Sequence, residues 1–116
     1  MTEPEGAAEM LAAERADTLA RLAALEQEFA GIVEASESAN ADDEHDPEGA
    51  TIAFERQHTA ALLSRLRQHL AQIDAALLRL ADGSYGTCAS CGRPIGAARL
   101  TARPVATTCI DCASLR

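Results

Sequence analysis

Cys88-Ala89-Ser90-Cys91-Gly92 and Cys109-Ile110-Asp111-Cys112, with 17 residues between the two pairs, decide how this 116-residue chain is built. Two cysteines three apart on a tight turn can aim both sulfurs at one point, and Gly92 lets the backbone bend behind the first pair. Four thiolates at this C-x2-C…C-x2-C spacing suit one tetrahedral Zn²⁺ ion, and a full sulfur shell leaves no position for water or substrate. The site predicted at Cys88, Cys91, Cys109 and Cys112 is therefore structural, with one zinc per chain. No open metal position and no nucleophile–base pair points to an enzyme. Two disulfides, a redox C-x-x-C and an iron–sulfur cluster stand as alternatives, since four cysteines also suit iron. Disulfides are disfavoured because the acidic start, Met1-Thr-Glu-Pro-Glu5, lacks the apolar stretch of a secretory signal, which implies a reducing cytoplasm.

Upstream of the cysteines the pattern is helical. Residues 7–35 are rich in Ala, Leu, Glu and Arg, and Leu11, Arg15, Thr18, Leu22, Leu25, Phe29 and Ile32 alternate steps of four and three. That is a coiled-coil seam, interrupted at Arg15 and Thr18. Residues 47–81 carry a second seam at Leu63, Leu66, Leu70, Ile73, Leu77 and Leu80. Asp46-Pro47 marks its start, with Asp as N-cap and Pro at the first helical position, and Asp82-Gly83 marks its stop. The polar stretch between the helices has no period and predicts a loop joining two antiparallel helices. Facing positions of such a pair have a constant sum of residue numbers, and Leu11 with Leu80, Leu25 with Leu66, and Phe29 with Leu62 all give 91. The same register sets Glu26 opposite Arg65.

The fold class predicted is thus mostly α: a long antiparallel two-helix coiled-coil hairpin with a C-terminal four-cysteine zinc finger. Its parts are a disordered tail over residues 1–6, the hairpin over 7–82 with an acidic tip loop over 36–50, and the finger over 83–116. At about 1.5 Å per residue such helices reach roughly 45–50 Å, a thin scaffold that needs fastening at its base. It should be a monomer.

Charge is unevenly spread. Residues 1–48 hold 14 acids and two Arg, whereas residues 49–116 hold four acids and eight Arg, and the chain has no Lys. The net charge of −8 argues against DNA wrapping and against binding to an anionic membrane. Apolar runs are too short to cross a bilayer. His45, His58 and His69 are too scattered to form a metal site.

The stretch Leu80-Ala-Asp-Gly-Ser-Tyr-Gly-Thr-Cys88-Ala-Ser-Cys91-Gly-Arg-Pro-Ile-Gly-Ala-Ala-Arg99-Leu-Thr-Ala-Arg103-Pro-Val-Ala-Thr-Thr-Cys109-Ile-Asp-Cys112 resembles the DksA/TraR family of C4-type zinc-finger proteins. The preceding hairpin extends the resemblance over most of the chain. It implies a bacterial transcription regulator that binds RNA polymerase directly, without reading DNA. It further implies a coiled coil in the polymerase secondary channel, with an acidic tip near the active site. Asp42, Asp43 and Asp46 are the tip residues so implied, and Arg93, Arg99 and Arg103 are candidate contacts to an acidic partner surface. Two departures stand out. The family's tip often reads D-x-x-D-x-A, where this chain has Asp43-Glu-His-Asp46-Pro-Glu48. Of the basic positions that hold guanosine tetraphosphate near the finger, Arg103 matches, but Gln72 and Ala113 carry no charge. A weak response to that nucleotide is expected. A zinc-stabilised adaptor for some other protein, or a zinc-ribbon DNA-binding protein, are the alternative functions.

Overall fold

The computed structural model describes residues 6–40 and 47–115. Four helices follow in order: α1 (Ala7–Asn40), α2 (Pro47–Asp82), α3 (Ala97–Ala102) and α4 (Ile110–Ser114). The two long helices have 34 and 36 residues. Residues 1–5, most of the expected tail, and the tip residues Asp42, Asp43 and Asp46 lie outside the described residues.

The helix α1 runs to Asn40, five residues past the predicted end at 35, so residues 36–40 and 47–50 of the expected tip loop are helical. The cause is visible in the seam. A step of four from Ile32 lands on Ser36, which is buried. The heptad pattern continues there in a small polar residue, which an apolar count does not register. Thr18 is another such case: it interrupts the apolar series yet is only 2% exposed. Helix α2 starts at Pro47 as predicted and runs one residue past 81. It ends because Gly83 turns back at φ 84°, a region that disfavours side chains. The amides of Ser84 and Tyr85 then both donate to the Arg79 carbonyl, at 2.9 and 3.1 Å. The Asp82 carboxylate accepts from the Ser84 amide and hydroxyl, at 2.9 and 2.5 Å, and these bonds hold its pKa below the ordinary value.

The chain forms two compact units. One comprises Thr18–His69. In it Leu22 and Leu63 are buried, flanked by Thr18 and Thr59, and Leu25 and Leu66 line a groove of about 510 Å³. Arg67 Nη2 donates to Glu26 Oε2 at 3.1 Å. This corrects the predicted Glu26–Arg65 pairing by two positions. A long arginine reaches about half a helical turn along the axis, so the partner need not be the residue directly opposite. On the outer surface the Phe54 and His58 rings stack, with centroids 6.3 Å apart, and Phe54 is 70% exposed.

The other unit comprises the chain up to Asp17 together with everything from Leu70 onward. Arg15, the second interruption of the seam, donates from Nε to Asp74 Oδ1 at 2.7 Å. That pair sums to 89 and Glu26–Arg67 to 93, on either side of the predicted 91. The core of this unit is shared. Leu11 of α1, Ile73 of α2 and Leu100 of α3 are fully buried, in one cluster with Tyr85, Cys88 and Cys109. The finger therefore has no core of its own and is packed on the start of α1 and the end of α2. No described helix is long and apolar enough to cross a membrane.

Candidate metal centre

The first cysteine pair sits in a tight reversal after α2. Thr87 and Pro94 form an isolated antiparallel bridge. Within it Cys88 N–H donates to the Arg93 carbonyl at 2.8 Å, and Gly92 N–H donates to the Cys88 carbonyl at 3.0 Å. Gly92 has φ 76°, the bend expected behind the pair. The second pair belongs to α4. Cys109 is its N-cap residue, in extended conformation, and Cys112 lies within the helix. Ala113 N–H donates to the Cys109 carbonyl at 3.0 Å, closing the single turn that aims both sulfurs the same way. A backbone bond joins the two halves: Ala89 N–H donates to the Thr107 carbonyl at 2.8 Å.

The result is that the four Sγ atoms of Cys88, Cys91, Cys109 and Cys112 all lie within 4.8 Å of one another. Cys91 Sγ and Cys109 Sγ are 3.8 Å apart. Tetrahedral zinc with Zn–S of about 2.3 Å requires S···S of about 3.8 Å, so this edge already has the length the ion demands. All four thiols are free of disulfides. Their proton affinities differ. Backbone N–H groups of Cys109, then Cys91, directed at Cys88 pull its pKa down to about 6. Cys112 is pushed up to about 12, foremost by its contact with the Cys109 thiol and then with those of Cys88 and Cys91. Four thiolates cannot coexist in this space without a cation, so filling the site must expel protons. Zinc suits the donor set. It would tie the two loops together and offers no position for catalysis.

Of the three finger arginines, Arg93 and Arg103 are exposed and Arg99 is half-buried. Arg99 and Arg103 meet in a polar cleft of about 310 Å³, also lined by Gln72, Thr108 and Ala113. The residues compared for nucleotide binding from sequence are thus brought together, and two of those three are uncharged. Arg99 Nε donates to the Thr108 carbonyl at 2.9 Å. The cysteine spacing does not single out Tyr85. Its hydroxyl donates to the Pro104 carbonyl at 2.8 Å and its ring is 3% exposed. A lone tyrosine in a chain so poor in aromatics was the available signal.

Residues 83–116 match the model of the prokaryotic dksA/traR C4-type zinc finger. The RNA polymerase-binding transcription factor DksA of Caulobacter vibrioides is 53% identical over 47 residues, covering 40% of this chain and 33% of that protein. DksA of Escherichia coli is 45% identical over 51 residues, covering 44% and 34%. These matches span about a third of the length of the curated relatives. The structure of transcription factor DksA2 from Pseudomonas aeruginosa reaches further: it superposes with a TM-score of 0.77 at 33% identity, covering 92% of this chain and 77% of that one. The chain belongs to the DksA/TraR family. As in the family's C4 finger, one metal is held by four clustered cysteines. At 92% of the chain, the part shared with DksA2 must take in most of the long helix pair as well as the finger.

Proposed function

We propose that this protein regulates transcription by binding RNA polymerase directly, with its helix pair entering the secondary channel and no DNA sequence being read. The supporting observation is the likeness to DksA2, at 33% identity over 92% of the chain, together with relatives named as RNA polymerase-binding transcription factors. Zinc at Cys88, Cys91, Cys109 and Cys112 keeps the finger folded on the base of the helices. The acidic segment between α1 and α2, with Asp42, Asp43 and Asp46, approaches the catalytic centre. Its carboxylates can act there on Mg²⁺ or on basic surroundings. Arg93 and Arg103, exposed on the finger, face an acidic surface of the enzyme. The protein acts as a cytoplasmic monomer, and guanosine tetraphosphate contributes little through its finger.

The test separates docking from action. Replacing Asp43 and Asp46 together by Asn removes two charges while leaving residue 46 an adequate N-cap. The double variant should bind polymerase with near-parent affinity yet change transcription less in a purified system. Loss of affinity with helix content intact would make the tip a docking element. An unchanged effect on transcription would leave the tip no role. Absence of polymerase binding by the parent protein would favour an adaptor for another protein.

A further inference from the structure

The peptide group between Thr108 and Cys109 is held at its carbonyl, which accepts from Arg99 Nε at 2.9 Å. A trans peptide is planar, so fixing the direction of the C=O also fixes the direction of the N–H. A guanidinium on the carbonyl also polarises the group and makes its N–H a stronger donor. The same peptide carries the Cα of Cys109, one of the four cysteines. One side chain therefore governs the direction of this peptide group and, through it, the position of the Cys109 sulfur.

We propose that Arg99 is a positioning residue for the metal centre: through the Thr108–Cys109 peptide it sets how tightly the second cysteine pair holds its ion. The setting supports that role. Residues 103–109 connect α3 to α4 outside regular structure, so their path depends on contacts with the rest of the finger. Arg99 is fixed in place by its neighbour Leu100, which is fully buried in the shared core. Two other anchors hold the segment earlier in its course, Tyr85 Oη on the Pro104 carbonyl and Ala89 N–H on the Thr107 carbonyl. The Arg99 bond is the one nearest the cysteine, and it is half-buried, where a charged donor loses less to water. Arg103 lines the same cleft but is exposed, which makes it the proper control.

The experiment is transfer of zinc from the intact loaded protein to a chromogenic chelator. Arg99→Met keeps the aliphatic stem and removes the donor; Arg99→Ala removes both. Each should release zinc about ten-fold faster, the scale on which outer groups affect a metal site. Arg99→Lys, which can still donate to the carbonyl, should recover most of the difference, and Arg103→Ala should match the parent. With Co²⁺ in place of zinc, the thiolate-to-metal absorption should shift in the Met variant and return in the Lys variant. Parent-like release from folded Arg99→Met overturns the proposal. So does Arg99→Lys as leaky as Arg99→Met, or Arg103→Ala equal to Arg99→Met, since either would make lost packing or lost cleft charge the cause.

Discussion

Leu11→Ala is the sharpest probe of the shared core. Leu11 lies four residues into α1, some 77 positions before Cys88, yet is 0% exposed in the cluster that contains Cys88 and Cys109. Truncating a fully buried leucine costs about 2–5 kcal/mol, depending on how far the surroundings collapse. Here the cavity would be walled by two long helices and a metal-fastened loop, which keeps the cost above the bottom of that range, at about 3 kcal/mol. For a chain of this size each kcal/mol is worth roughly 3–6 °C, so the zinc-loaded variant should melt about 10–15 °C below the parent. Leu78→Ala is the control. It sits on the same unit but is 69% exposed, and it should stay within about 0.5 kcal/mol of the parent. Both melts should be followed by far-ultraviolet circular dichroism at one fixed zinc concentration, because bound metal adds its own stabilisation. If Leu11→Ala melts within a couple of degrees of Leu78→Ala, the start of α1 does not pack into the finger, and the shared core is wrong.

Cys109→Ser should lose zinc and loosen residues 83–115 while much of the α1 and α2 signal persists; full zinc retention by elemental analysis would contradict the four-cysteine centre. Apparent zinc affinity should rise with pH near neutrality, by up to about tenfold per unit for each proton expelled. The sign follows from Cys112, whose thiol pKa of about 12 keeps it protonated until the metal arrives, and a chelator titration at two pH values checks it. Glu26→Ala should cost less than about 1 kcal/mol, since both partners of the Glu26–Arg67 pair are more than half exposed; a larger loss in thermal melting would mean the pair fixes the helix register.

The helix pair, its antiparallel register and the metal centre were legible because each rests on local spacing. A step of three or four marks a seam, and a two-residue gap between cysteines marks a knuckle. What escaped was non-local or polar. Thr18 and Ser36 occupy seam positions that an apolar count passes over. Arg67 takes the place expected of Arg65 because side-chain reach is not encoded in a sum of residue numbers. Arg99 read as one of three surface bases, and nothing in the sequence said that its Nε would meet the Thr108 carbonyl. That Ala7 and Leu11 lie in the core of the finger was equally hidden, because their partners come from residues 73 to 109, far along the chain.

That last arrangement bears on how the molecule is made. The unit around the cysteines is discontinuous: its first stretch ends at Asp17 and its second begins at Leu70. As the chain leaves the ribosome, Ala7 and Leu11 emerge early, and their cluster is not complete until residues as late as Ala106 and Cys109 have been synthesised. Co-translational folding can form helical turns early, but it cannot close this core before the codons for those late residues are read. A product cut short upstream of Cys109 therefore lacks part of this core together with two of the four clustered cysteines.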